Sequence, residues 1–337
     1  MSRTVLVTGA TGYIGRHVVR VFLDHGYEVV GSTRDASRLP ELKAAIAPAL
    51  ENHEAIERLR LVELDLDRDE GWGAALQGVD ALIHTASPFP LTEPDDRAAL
   101  IRTAEDGARR AIEAAAAAGV RDVVLTSSVV AMFEDGGGEK TYDESDWTDP
   151  DRPETGAYPA SKTLAERTAW ELAERHGINL AVINPGLVVG PPLGKGYGSS
   201  VQLIERMLSG KDPVQPRLRL AICDVRDVAL AHLRALEAPE ANGHRHLIAD
   251  GVYWFREVAG LVKEAVPQSK AKLREAPNWL IRAMAVFMAD AKGIVPNLGR
   301  AFEIDNTRMR TVLGIEPRDS RNSIRETALW LKGQGKG

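Results

Sequence analysis

A chain of 337 residues, 44% hydrophobic and 27% charged, has the composition of a soluble globular protein with room for one large α/β domain or two smaller ones. A formal net charge of -6, with no long basic block, argues against nucleic acid as the main partner. The single cysteine, Cys223, excludes an intramolecular disulfide and a cysteine metal cluster.

The apolar run 4–7 reads as a buried strand, and it starts so early that no leader segment is expected. Residues 8–15 follow as TGATGYIG, and Ile14, Val18, Val21 and Phe22 then recur at helical spacing. Strand, glycine turn and helix start together form a phosphate cradle. Gly9 allows the tight turn, Gly12 lets backbone approach a pyrophosphate, and Gly15 lets helix and strand pack closely. The free N–H groups of the helix start face the phosphates. Gly9, Thr11, Gly12, Tyr13, Ile14 and Gly15 are therefore candidate cofactor contacts.

Strand and helix patterns alternate from there. Strands are expected at 28–32, 59–64, 81–83, 122–126, 180–184 and 246–249. Residues 42–56 are helical in composition, with Pro48 interrupting them. A long alanine-rich helix is expected at 98–118, stopped by Gly119, and another at 158–176, stopped by Gly177. The alternation implies an α/β fold, a doubly wound parallel sheet of about seven strands with helices on both faces.

Other stretches break the rhythm. Residues 133–155 are acidic and rich in glycine and proline, and read as a solvated surface loop. Residues 191–219 and 251–337 leave the pattern. They are expected to form a smaller, mostly helical substrate-binding region, interleaved with a nucleotide-binding domain of residues 1–190 and 220–250. The 243–246 run leads into a strand rather than forming a metal site, so no metal is expected. Residues 279–289, broken by Arg282, fit an amphipathic helix rather than a membrane span. Residues 333–337 read as a frayed end. A cytoplasmic monomer or homodimer, with no membrane partner, is the expectation.

Ligands of such sheets bind beyond the C-terminal strand ends. The second strand ends at Ser32-Thr33-Arg34, where an acid would suit the ribose of NAD and an arginine suits a 2′-phosphate. Arg34, with Arg38 behind it, favours NADPH over NADH, against the adjacent Asp35. Asp65 and Leu66 are placed to meet an adenine, and Thr85, Ala86 and Ser87 to let a cofactor lie close. The fifth strand ends in Thr126-Ser127-Ser128. Tyr158 and Lys162 then share one helix face. Pro159 is tolerated in the first turn. A lysine beside a tyrosine is expected to lower the phenol pKa toward neutrality and make it a general acid/base. Asp224 and Asp227 read as a helix N-cap with an acidic first turn. Cys223 reads as a buried apolar residue and His232 as a helix-face residue.

These motifs resemble the extended short-chain dehydrogenase/reductases, and most closely their dihydroflavonol 4-reductase and NADPH-dependent aldehyde/ketone reductase branch. The resemblance rests on the glycine loop, 32–35, 84–88, 126–128, 142–147, Tyr158-Pro159-Ala160-Ser161-Lys162 with 163–166, 184–191 and 224–229. It spans the chain to about Asp250 and then thins out. It implies an NADPH-dependent carbonyl reductase acting on a small-molecule aldehyde or ketone with an apolar body. Ser128, Tyr158 and Lys162 would be the catalytic triad, with Lys162 also holding the nicotinamide ribose. Pro185, Leu187 and Val188 would line the nicotinamide, and Ser200, or equally Ser199, would reach the phosphate side. The asparagine of a proton relay in many relatives has no counterpart at 102–107, so a water or a ribose hydroxyl would complete it. Substrate choice is expected from 129–133, Phe89, 191–219 and the helix around Trp279, Phe287 and Met288. The rivals are a 3β-hydroxysteroid dehydrogenase-like enzyme, an NAD-dependent sugar-nucleotide epimerase or dehydratase, and a non-enzymatic NADP sensor.

Overall fold

Thr4–Thr8 (β1) is an interior strand of a parallel sheet, and Val5, Leu6 and Val7 are fully buried because both sheet faces are covered. The computed structural model describes residues 2–87, 96–133, 140–286 and 293–336. The other strands of this sheet, numbered in chain order, are Glu28–Thr33 (β2), Leu59–Glu63 (β3), Ala81–His84 (β4), Asp122–Thr126 (β5), Asn179–Pro185 (β7) and Arg245–Ile248 (β10). Their order is β3-β2-β1-β4-β5-β7-β10, and every pairing is parallel. The chain runs outward from β1 to β3 and returns to place β4 on the other side of β1. Such a reversal opens a crevice at the C-terminal strand ends.

The period-two pattern of the strands divides the core into two layers. Val5, Val7, Ile83, Val124, Ala181 and Ile183 face one cluster, with helices Tyr13–Asp24 (α1) and Val225–Glu237 (α7). Leu6, Leu82, Val123, Leu125, Leu180 and Val182 face the other, with helices Arg97–Ala117 (α4) and Ala157–His176 (α5). Small residues on α4, including Ala104, Gly107, Ala108, Ala111 and Ala115, form its buried face. Pro48 does end a helix: Leu39–Ile46 (α2) gives way to short 3₁₀ turns at Ala47–Ala49 and His53–Arg58.

Outside the main sheet lie a three-stranded sheet, Leu187–Val189 (β8), Arg219–Asp224 (β9) and Gly251–Trp254 (β11), and a parallel pair, Lys140–Tyr142 (β6) with Phe302–Ile304 (β12). These short strands were not expected. The 133–155 stretch is therefore only in part a solvated loop where it is described. Tyr142, Thr148 and Thr155 are buried, and the Glu144 carboxylate accepts the Leu247 amide at 3.1 Å. Asp143, Glu144 and Asp146 accept backbone amides, which composition does not reveal, while Asp149, Asp151 and Glu154 stay exposed as a surface loop requires.

Helices Ser199–Ser209 (α6), Phe255–Ala265 (α8) and Ser320–Gly333 contribute Val201, Ile204, Val258, Val262, Ile324 and Leu331 to the cluster that contains Val5. The late helix Asn278–Met284 (α9) packs through Ile281 against Ala276, Ala285 and Leu298, leaving Trp279 68% exposed. Pro88, Phe89, Phe287, Met288 and Gly337 lie outside the described residues. Among the described residues no helix is long and apolar enough to cross a membrane.

Candidate active site

A cavity of about 1280 Å³ occupies the crevice beyond β1, β4, β5 and β7. Its first wall is the glycine loop: Gly9, Thr11, Gly12, Tyr13, Ile14 and Gly15 all line it. Gly9 sits at φ 67°, in the left-handed region that glycine alone adopts without cost. A Cβ on Gly15 would lie 2.1 Å from the Gly9 carbonyl oxygen, so only hydrogen fits there. No side chain caps α1, which leaves the amides of its first turn facing the cavity. This cradle fits a pyrophosphate. Tyr13 is held apart from such a role by its hydroxyl, which donates to the Gly190 carbonyl at 2.8 Å. Burial pushes its phenol pKa up.

At the tip of β2, Ser32, Thr33, Arg34, Asp35 and Arg38 line the same cavity. Asp35 caps the turn Ala36–Arg38, accepting from the Ser37 amide at 3.0 Å and the Ser37 hydroxyl at 2.6 Å. Those bonds hold its carboxyl below the usual range. Asp65 and Leu66 follow β3, and Thr85, Ala86 and Ser87 follow β4, all on the cavity wall. The Thr85 hydroxyl donates to the Thr8 carbonyl at 2.6 Å, tying the ends of β1 and β4 together. A Cβ on Gly9 would meet the Ala86 backbone at 3.1 Å, which shows how closely these two strand tips approach.

β5 delivers Ser128, and α5 begins one residue before Tyr158, with Pro159 in its first turn. Ser128, Tyr158 and Lys162 all reach the cavity. The Ser128 hydroxyl is hydrogen-bonded to the Tyr158 phenol, and the Lys162 Nζ lies 5.9 Å from the centre of its ring. Burial pushes the phenol above its ordinary pKa, with the Ser128 hydrogen bond pulling the other way. Burial also lowers Lys162 to about 8, partly offset by the carboxylate of Glu166. The expected direction for the tyrosine is thus reversed, because desolvation outweighs the Ser128 hydrogen bond. The resting group is a neutral phenol.

Pro185, Leu187 and Val188 line the cavity after β7, and so do Ser199 and Ser200 at the start of α6. Every cofactor and triad position expected from sequence therefore faces one space. The far wall was anticipated in part: 129–133 and 191–219 contribute to it as expected, whereas Tyr142, Asn297, Arg300 and Phe302 were missed. It consists of Val129, Val130 and Phe133 with Leu218, Arg219, Tyr142, Asn297, Arg300 and Phe302. Phe133, Tyr142 and Phe302 form an aromatic cluster with ring centres 4.8–6.0 Å apart. Arg300 donates to the Tyr142 hydroxyl at 3.0 Å and to Asn297 Oδ1 at 2.9 Å. Trp279 takes no part in this wall. Of the four missed residues, Tyr142 alone stood within a recognised motif. A three-residue strand at 302–304 has no periodicity to find.

The remaining polar groups are structural. Asp224 caps α7 through the Arg226 amide at 2.7 Å, and Asp227 pairs with Arg318. Cys223 is buried, which pushes its thiol pKa up. His232 Nδ1 lies 2.7 Å from the Val228 carbonyl, so that nitrogen carries the proton and Nε2 accepts from the Thr126 hydroxyl at 2.6 Å. The ring thereby fixes the tip of β5. Among the described residues no cluster of His, Cys, Asp or Glu could hold a metal ion.

Residues 5–249 match the NAD dependent epimerase/dehydratase family. Cinnamoyl-CoA reductase 1 of Arabidopsis thaliana is 38% identical over 270 residues, covering 79% of this chain and 76% of that protein. Cinnamoyl-CoA reductase 1 of Oryza sativa subsp. japonica is 33% identical over 335 residues, covering 98% and 91%. Among solved structures, yeast methylglyoxal/isovaleraldehyde reductase complexed with NADPH superposes with a TM-score of 0.80 at 25% identity, covering 99% of this chain and 100% of that one.

Proposed function

Because the chain belongs to the NAD-dependent epimerase/dehydratase family, within the dihydroflavonol 4-reductase-like branch of the extended short-chain dehydrogenase/reductases, we propose that it is an NADPH-dependent carbonyl reductase. It takes aldehydes or ketones to alcohols, and the reaction is reversible. One observation carries this reading: the uncapped helix start at Gly12 and the Ser128–Tyr158–Lys162 group open into the same cavity.

NADPH, when bound, supplies a hydride from its nicotinamide. The protein does the rest. The α1 amides and Gly12 take the pyrophosphate. Arg34 and Arg38 suit the 2′-phosphate, since the Asp35 carboxylate is already committed to Ser37. Pro185, Leu187 and Val188 seat the nicotinamide. Ser128 donates to the carbonyl oxygen and orients it. The Tyr158 phenol would deliver the proton to that oxygen, which completes the alcohol. Lys162 stabilises the phenolate left behind and, as in the family, holds the ribose. Residues 191–219 and 251–337 serve as the substrate-binding region. The apolar wall of Val129, Val130, Phe133, Tyr142 and Phe302 suits a substrate with an apolar body. That the relatives above are named reductases, with substrates including methylglyoxal and isovaleraldehyde, supports a carbonyl acceptor.

The test is a panel of aldehydes, ketones, diketones and acyl thioesters, followed as NADPH or NADH consumption. Turnover of at least one class, faster with NADPH, is expected. NADPH binding with no turnover of any carbonyl would favour a redox sensor. Tightly retained NAD would favour an epimerase.

A further inference from the structure

At the start of β10, Arg245 has no part in the chemistry proposed above, yet its side chain is only 6% exposed. A guanidinium has five N–H donors, and here they meet five acceptors. Nε donates to Glu166 Oε1 at 2.6 Å. Nη2 donates to Glu166 Oε2 at 3.4 Å and to the Ala131 carbonyl at 3.2 Å. Nη1 donates to the Glu144 carbonyl at 3.3 Å and to the Asp146 carbonyl. Its flat face lies over the Trp147 ring, 3.8 Å from the centre.

Glu166 is fully buried and one helical turn beyond Lys162 on α5. It also accepts from the Ser127 hydroxyl at 2.5 Å and the Asn184 amide at 2.9 Å. Ser127 directly precedes Ser128, and Asn184 directly precedes Pro185. One carboxylate thus touches the residues next to the active-site positions on β5 and β7, from the helix that carries Tyr158 and Lys162. Arg245 extends this contact to the two segments of the far wall, the turn Val129–Ala131 and the stretch that follows Tyr142.

We propose that Glu166 and Arg245 are a positioning pair. They lock the Tyr158–Lys162 helix to the 142–148 segment that carries Tyr142 of the far wall, so that a carbonyl substrate held by the wall meets Ser128 and Tyr158 in register. This rests on the reductase reading for the role of those two residues. A buried ion pair is by itself a weak source of stability, and two apolar residues of like volume often replace one at no loss. What an apolar pair cannot replace is the set of three carbonyls, of Ala131, Glu144 and Asp146, held behind the wall by one planar group. A lysine keeps the charge but has neither the fork nor the flat face.

The test uses the double variant Glu166→Leu/Arg245→Met and the single variant Arg245→Lys. Melting temperature, amide hydrogen exchange over 142–148, NADPH affinity and carbonyl kinetics are measured on each. Both variants are expected to exchange faster over 142–148. Carbonyl KM should rise by about tenfold or more, with NADPH affinity within about threefold of the parent. Wild-type exchange and KM in the folded double variant would overturn the pair's role, as would an equal loss of NADPH affinity. Should the double variant not fold, Arg245→Lys decides by the same readouts. If the parent turns over no carbonyl, the reductase reading falls, while unchanged exchange over 142–148 would still sink the positioning role.

Discussion

Ionisation at Tyr158 and Lys162 sets how the site responds to pH. Burial holds Tyr158 above its ordinary range, so it stays protonated through neutral pH and is ready to give a proton. Lys162, lowered to about 8, loses its charge as pH rises through that value. Carbonyl reduction should therefore fall on the alkaline side near pH 8 in the profile of kcat/KM, which reports groups of the free enzyme. In Lys162→Met the plateau should drop and that limb should vanish; a limb that persists would assign it to another group. At the β2 tip, Arg34→Ala should raise KM for NADPH by about tenfold to a hundredfold, the worth of a charged hydrogen bond, and leave KM for NADH nearly unchanged. Equal effects on both cofactors would mean that Arg34 does not read the 2′-phosphate. The identities of these residues were legible in the sequence because each stands at a strand end or one helical turn from another. The sign of the tyrosine shift was not legible, because desolvation depends on what the fold packs around the ring.

Secondary elements differ in how plainly the sequence announces them. The strands from β1 to β5, with β7 and β10, follow from apolar runs between turn residues, and α4 and α5 end where Gly119 and Gly177 adopt positive φ. β6 and β12 have three residues each, and their pairing joins 140–142 to 302–304. No local pattern encodes that contact, which is why Phe302 and Arg300 escaped notice. The turn between β1 and α1 gives the sharpest element-level prediction. Gly15→Ala would drive a methyl group into the Gly9 carbonyl, 2.1 Å away. The turn should open, costing ~1–3 kcal/mol of stability as overpacking does. Denaturant midpoints and NADPH titration would show both losses together. Full NADPH affinity in that variant would mean that the cradle is not the phosphate site. On the far wall, Phe302→Ala should raise KM for bulky carbonyls more than for small ones, which a graded aldehyde series would measure.

Across the whole molecule, residues from early and late in the chain share one core: Val5 and Leu331 belong to the same cluster. The late helices are therefore built onto the sheet, and the cavity lies where the two parts of the chain meet. Several histidines also hold this core neutral. Burial lowers His17, His84, His232 and His246 to about 4. An unfolded chain takes up these protons below about pH 6.5, and the folded one does not until about pH 4. Stability is complete above the first value and declines as pH falls toward the second. A urea midpoint that stays flat from pH 7 to about 4.5 would contradict that neutrality. The Tyr158 phenol and the nucleotide cradle open into one cavity, and the proposed reduction needs both. Tyr158→Phe tests it most directly, with NADPH affinity and single-turnover carbonyl reduction measured on the same preparation. The phenylalanine variant should bind NADPH as the parent does and reduce its carbonyl substrate about 10²–10⁴-fold more slowly. Reduction at the parent rate would show that the proton comes from elsewhere.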